Sequence, residues 1–162
     1  MRSVRHQMHF KRAQPEDAAT LTAIAFAAKR HWGYPEPWIE EWRELLTIRP
    51  KFLARHESFA AVIHGRIVGF HALGVRRGQL YLLHLWVRPE AMGQGVGRNL
   101  FLHAVGQARG LGFKTLLIES DPNAEGFYLR MGAKRVRLTL GKVAGKPRRL
   151  PVLAYELDLG IA

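Results

Sequence analysis

The most constraining stretch of the chain lies between residues 79 and 108. An apolar run, Gln79 to Val87, stops at Arg88-Pro89, where proline cannot continue a central strand. Gly93, Gly95 and Gly97 follow, each one residue apart. Val96, Leu100, Phe101, Ala104, Val105 and Ala108 then recur at helical spacing. The pattern reads as a strand, a glycine loop and an amphipathic helix in immediate succession. A chain built around such a unit belongs among mixed α/β folds.

The same unit is a candidate anion site. Glycines let backbone N–H groups approach a ligand without Cβ obstruction. The first helical turn has unsatisfied N–H groups and a partial positive charge, which suit a phosphate or diphosphate. Arg98 adds a fixed cation beside it. Two familiar phosphate loops are excluded by spacing. A P-loop needs Lys-Ser/Thr after its last glycine, and here Arg98-Asn99 follows Gly97. A dinucleotide fingerprint needs GxGxxG, and this segment is GxGxG with no acid at the required distance. A helix start whose glycines only permit close packing is the alternative reading.

The rest of the chain alternates in type. His9 to Arg12 is a short strand, and Gln14-Pro15-Glu16-Asp17 opens a helix carrying Leu21, Ile24, Ala25 and Ala28. Residues 32–37, with two prolines, break it. A second helix is expected from Trp38 to Leu46. Ser58 to His64 and Ile67 to Val75 are strands joined by a tight turn at His64-Gly65-Arg66. After the glycine-loop helix, Thr115 to Ile118 is a buried strand. Asp121-Pro122 opens another helix that Gly132 ends. Val136 to Leu140 and Val152 to Leu157 form a last hairpin, with a long basic connection from Gly141 to Pro151. The expected order is βααβββαβαββ: an α/β (α+β) mixed, mostly antiparallel sheet with about four helices.

At 162 residues the chain suits one domain, 1–162. The absence of cysteine excludes disulfides, thiolate metal sites and cysteine nucleophiles. No apolar run approaches the roughly 20 residues of a membrane span. Met1-Arg-Ser-Val-Arg-His-Gln7 has charge but no apolar segment behind it, so no signal peptide is expected. A cytoplasmic protein without a membrane partner is the expectation. The formal charge of +12 attracts polyanions. However, no Lys/Arg stripe interleaved with aromatics is present, which argues against nucleic acid.

Two blocks carry a family resemblance. Leu85-Trp86-Val87-Arg88-Pro89-Glu90-Ala91-Met92-Gly93-Gln94-Gly95-Val96-Gly97-Arg98 resembles the acyl-CoA-binding motif of the GNAT superfamily of N-acetyltransferases. Asp121-Pro122-Asn123-Ala124-Glu125-Gly126-Phe127-Tyr128, continuing to Gly132-Ala133, resembles its later motif, with an Asn at a helix start and a Phe-Tyr pair. The two blocks stand in the family's order, and the element order resembles it over nearly the whole chain. Met92 stands where the family often has Gln or Arg; Arg98 or Gln94 is the expected compensation.

The resemblance implies acetyl-CoA as cosubstrate and an amine as acceptor. The strand ending Leu85-Trp86-Val87 would part from Thr115 to Ile118 and take the pantetheine arm. The amides of Met92, Gly93, Gln94, Gly95, Val96, Gly97 and Arg98 would take the diphosphate, and Asn123 would add a contact. An alkyl amine, with a pKa of about 10.4, must lose a proton before attacking a thioester. The departing thiolate, from a thiol of pKa about 8.5, benefits from an acid. Tyr128 is the family-matched acid. His84 is the candidate base, with His71 second. Glu119 and Asp121 are expected to serve the loop and its cap. The acceptor would bind near residues 29–44, where Trp32 and Tyr34, with Trp38 and Trp42, could face a cation. Glu36, Glu40, Glu41 and Glu44 form an acidic cluster there. Sheet-edge pairing into a homodimer follows by analogy alone. Two other classes remain open from the sequence. One is a basic module binding nucleic acid or an acidic protein; the other is an acyl-CoA sensor without catalysis.

Overall fold

The computed structural model describes residues 7–157. These residues form two compact units. The first gathers the chain up to Ala72 with His84–Phe101; the second gathers Leu73–Leu83 with the chain from Leu102 onward. The strands are β1 (Met8–Arg12), β2 (Glu57–Ile63), β3 (Arg66–Arg76), β4 (Gln79–Val87), β5 (Thr115–Glu119), β6 (Lys134–Val143) and β7 (Lys146–Glu156). Their hydrogen-bonded order is β1-β2-β3-β4-β5-β7-β6. β1–β2, β5–β7 and β6–β7 are antiparallel, and β4–β5 is parallel. The expected mixed, mostly antiparallel sheet is therefore observed.

The described residues hold six α-helices rather than about four: α1 (Ala18–Arg30), α2 (Glu36–Glu41), α3 (Arg43–Leu46), α4 (Pro50–Arg55), α5 (Val96–Gly110) and α6 (Glu125–Arg130). Leu21, Ile24, Ala25 and Ala28 of α1 are all buried, as their spacing requires. A 3-10 turn, Pro15–Asp17, precedes the helix, and Asp17 Oδ2 accepts the Gln14 N–H at 2.8 Å. The single helix expected over Trp38 to Leu46 is divided at Trp42, whose φ of -88° and ψ of 6° leave the helical region. α4 was not legible because it is one and a half turns long and buries only Leu53. Proline at its first position starts it. The linker before it is pinned by Thr22, whose Oγ1 accepts the Ile48 N–H at 2.9 Å and donates to the Ile48 carbonyl at 3.1 Å.

Three hairpins close on two-residue turns: His64-Gly65, Arg77-Gly78 and Ala144-Gly145. Both residues of each turn have positive φ, between 50° and 76°. Such turns match the twist of the flanking strands. The last one overturns the expected long connection from Gly141 to Pro151: β6 and β7 run through it, with Val143 opposite Lys146. Pro147 and Pro151 lie within β7, where proline is tolerated only at positions that need no ladder N–H. They sit opposite Lys142 and Leu138, alternate positions in the register, where no N–H toward β6 is needed.

In the first unit a core cluster of Ala61, Val68, Val87, Ala91, Val96 and Leu100 joins strand, loop and helix. Beside it Gly69 on β3 is a point of close approach. A Cβ there would lie 2.7 Å from the Trp86 carbonyl oxygen, 2.8 Å from Leu100 Cδ1 and 3.3 Å from Val87 Cα. Glycine in a strand interior marks such a close approach. Gly69→Ala should therefore destabilise the protein by about 1–3 kcal/mol through overpacking. Urea denaturation measures it; an unchanged midpoint would mean that Leu100 and β4 yield without cost.

Candidate active site

The glycine loop lies wholly in the first unit. β4 ends at Val87, and the next residue is tied to β3 twice. The Arg88 N–H donates to the Val68 carbonyl at 2.8 Å, and Arg88 Nε donates to the Ile67 carbonyl at 2.7 Å. Partial burial lowers the guanidinium pKa, with Arg66 nearby adding to the effect. A 3-10 turn, Pro89–Ala91, follows, and the Met92 N–H closes it on the Pro89 carbonyl at 3.2 Å. Met92's side chain packs against the apolar cluster, so the residue anchors the loop from beneath. Its amide is engaged, and the open donors begin beyond it.

Gly93 has φ +77° and Gly95 φ +83°. An L-residue at either φ costs about 1–2 kcal/mol. A Cβ on either would meet nothing within 4 Å. The backbone conformation, not crowding, demands glycine, and the space over both is open. The first bond into α5 runs from the Asn99 N–H to the Gly95 carbonyl at 3.1 Å. The amides of Val96, Gly97 and Arg98 precede it and have no intrahelical acceptor. Val96 is buried, so its side chain holds the turn down, while Arg98 and Gln94 are exposed. Gln94 Nε2 donates to the Glu90 carbonyl at 3.4 Å, and Glu90 pairs with Arg66 at 3.1 Å. This is a helix N-terminus with two positive-φ glycines before it and an apolar seat below, a geometry that suits diphosphate oxygens.

Leu85 and Val87 pack on the cluster that seats α5. Trp86 Nε1 donates to His84 Nδ1 at 3.0 Å. A neutral imidazole accepting at Nδ1 carries its proton on Nε2. Phe52 and Phe70 flank His84 at ring-centroid distances of 5.4 and 5.9 Å. His71 is fully buried and stacks on Phe59 at 5.7 Å.

Asn123, Tyr128 and their neighbours belong to the second unit. Asp121 does the capping expected of it, with Oδ1 accepting the Asn123 N–H at 2.8 Å. Its other oxygen faces Arg148 Nη2 at 3.5 Å. Glu125, in the first turn of α6, takes two bonds from Arg135 of β6 at 2.6 and 2.5 Å. Those bonds hold its carboxyl below the usual carboxylate range. Tyr128 is 7% exposed. Burial first, and the Asp121 charge second, push its phenol well above the ordinary value. The hydroxyl therefore keeps its proton at neutral pH.

The aromatic group near α1 differs from expectation. Tyr34, Trp38 and Trp42 come together, with Tyr34–Trp42 centroids 4.9 Å apart. Trp32 lies with His31 instead, 5.8 Å away. The cation on the cluster is the chain's own Lys29, whose Nζ lies 4.3 Å from the Trp42 ring and 5.1 Å from the Tyr34 ring. Lys29 is 9% exposed. The acidic cluster is likewise largely answered from within. Arg30 pairs with Glu36, Arg43 with Glu40 and Arg49 with Glu44. Gly69, Arg88 and Lys29 were missed by sequence reading. Only Gly69, a glycine inside a strand pattern, carried a signal.

Residues 21–133 match the model of the acetyltransferase (GNAT) family. The chain belongs to that family. It is 38% identical over 71 residues to the peptidyl-lysine N-acetyltransferase YjaB of Salmonella typhimurium. That match covers 44% of this chain and 48% of YjaB, about half the length of the relative. In fold it is similar to a GCN5-related N-acetyltransferase from Rhodopseudomonas palustris, with TM-score 0.76, 21% identity and coverage of 91% and 94% of the two chains. It is also similar to the PaiA N-acetyltransferase of Thermoplasma acidophilum, solved with coenzyme A, with TM-score 0.75, 21% identity and coverage of 91% and 99%. Among the described residues no helix is long and apolar enough to cross a membrane.

The raised pKa of Tyr128 sets a pH dependence of stability. The unfolded phenol ionises near pH ~10, before the folded one. Its contribution is therefore whole below about pH 10 and lost as pH rises above it. Urea unfolding from about pH 8 to about pH 11 should show a steeper alkaline loss for the wild type than for Tyr128→Phe. Parallel curves would place the phenol in contact with solvent.

Proposed function

We propose that the protein transfers the acetyl group of acetyl-CoA to a primary amine, on a small molecule or a peptide, by direct attack in a ternary complex. The observation that carries this reading is the helix N-terminus behind Gly93 and Gly95, open above and seated on apolar residues below. Membership of the GNAT family supports the same chemistry. Gly93, Gln94, Gly95, Val96, Gly97 and Arg98 would hold the diphosphate. Leu85, Trp86 and Val87 would line the pantetheine arm, with Asn123 adding a contact. In the second unit the β4–β5 ladder joins Leu80 to Leu116 and Tyr81 to Leu117, and Ile118 and Glu119 pair with β7. Acetyl-CoA, when bound, supplies an activated thioester carbonyl.

The chain's own groups then have definite tasks. Tyr128 retains its proton and donates it, or a hydrogen bond, to the departing thiolate. His84 takes the amine proton at Nδ1, the only basic nitrogen of this tautomer, once the Trp86 indole releases it. Trp32, 41% exposed, is the proposed acceptor contact, and Tyr34 contributes less because its ring already faces Lys29. One catalytic domain over 1–162 acting in the cytoplasm, and a homodimer, complete the proposal.

Thiol release from acetyl-CoA against polyamines, aminoglycosides and peptide amines tests the reading, alongside calorimetry with coenzyme A. No heat with coenzyme A overturns it. Tight binding without thiol release from any amine makes the protein an acyl-CoA binder without catalysis. Tyr128→Phe should lower kcat by about 10²-fold while coenzyme A affinity stays unchanged. Unaltered turnover would remove the acid assignment. Gly95→Ala should weaken coenzyme A about tenfold, as about 1–2 kcal/mol of backbone strain shifts the loop. Equal affinity would show that the loop amides do not bind the diphosphate.

A further inference from the structure

Among the described residues β6 ends the strand order, so one of its two edges has no described strand beside it. The register says which groups that edge presents. Val143–Lys146 closes a two-residue hairpin and is a bonded pair, and bonded pairs alternate from there through Gly141–Arg148 and Thr139–Leu150. Pro147 and Pro151, opposite Lys142 and Leu138, have no N–H to exchange and agree with that alternation. The N–H and C=O groups of Leu138, Leu140 and Lys142 therefore point away from β7, into the open edge. Directly opposed residues share a face, so Leu138, Leu140, Lys142 and Arg149 line one side together. Leu138 is 46% and Leu140 74% exposed. A bulge between Arg135 and Arg137 turns the strand away and ends this stretch.

The charge around the edge is one-sided. Between Glu125 and Glu156 the chain has no acid, but it has Arg130, Lys134, Arg135, Arg137, Lys142, Lys146, Arg148 and Arg149. Arg135 and Arg148 are paired with Glu125 and Asp121. Lys142, Lys146 and Arg149 meet no carboxylate among the described residues and are exposed. Lysines on an edge strand oppose pairing with another copy of the same edge. The same cations favour a strand of opposite charge. The stretch from Lys134 to Arg149 contains no aromatic residue, so it lacks the stacking platform of single-stranded nucleic acid sites.

We propose that the β6 edge at Leu138, Leu140 and Lys142 docks an extended acidic segment of a partner protein as an added strand. Main-chain bonds would supply the pairing, Leu138 and Leu140 would take apolar side chains, and Lys142 and Arg149 would take carboxylates. The site lies within the second unit and stands independently of the transfer reading.

The test is fluorescence anisotropy with the full chain and a labelled octapeptide of alternating glutamate and valine, beside its lysine–valine counterpart. The acidic peptide should bind and the basic one should not. Lys142→Glu with Arg149→Glu should weaken binding at least about tenfold. Leu140→Pro removes one outward N–H without touching the β7 ladder and should weaken it similarly. If that variant unfolds, an acidic peptide N-methylated at alternate residues makes the same test on the wild type, and should fail to bind. Equal binding of both peptides, or of the methylated one, overturns the proposal. Tighter binding of a decauridylate would assign the patch to nucleic acid and overturn it. A dimer in sedimentation that Leu140→Pro dissociates would give the edge to a second copy, with the same consequence.

Discussion

The close approach of α5 to the β3–β4 pair is the contact on which the candidate site depends. Gly69 has no side chain, so Leu100 can press against the strands beside Val87 and the Trp86 carbonyl. That places the first turn of α5 a short loop from the end of β4. The loop has little freedom left. Arg88 is bonded to β3 at backbone and side chain, Met92 is turned into the core, and Gly93 and Gly95 absorb the reversal at positive φ. The helix amides are thus presented by apolar packing beneath them rather than by any polar clamp. Preorganisation of this kind spares a ligand the cost of ordering the loop.

The second theme is how the chain disposes of its charge. Around α1 to α4 the acids are matched by arginines, and the aromatic cluster is matched by Lys29. An apparently inviting cation site therefore recognises a residue of its own chain, and its contribution is structural, about 0.5–2 kcal/mol for a cation held on such rings. The excess positive charge is left elsewhere, most densely along β6 and β7. Exposed ion pairs in the first region add little stability.

Much of this was readable in advance. The periodicity of Val96, Leu100, Phe101, Ala104, Val105 and Ala108 identified the buried face of α5, and all six are buried. The glycine spacing located the loop, and Asp121-Pro122 with Gly132 bracketed the turn and helix that carry Asn123 and Tyr128. These features are local: a period, a cap or a proline acts within one turn of itself. The last hairpin was expected but its length was not, because its turn, Ala144-Gly145, is a weak signal. Whether a proline breaks a strand depends on which side its missing N–H would face, and that is a property of the pairing.

By itself, then, the sequence determined most of the succession of strands and helices, the strand–glycine–helix unit and the family. Tertiary structure decided the rest. It turned Met92 inward, gave Trp86's indole to His84, seated Lys29 on Tyr34 and Trp42, and made Gly69 a point of close approach. Each of these joins residues through space, and for most of them nothing in the adjacent sequence encodes the partner. Periodicity reports which way a side chain faces; only packing reports what it meets.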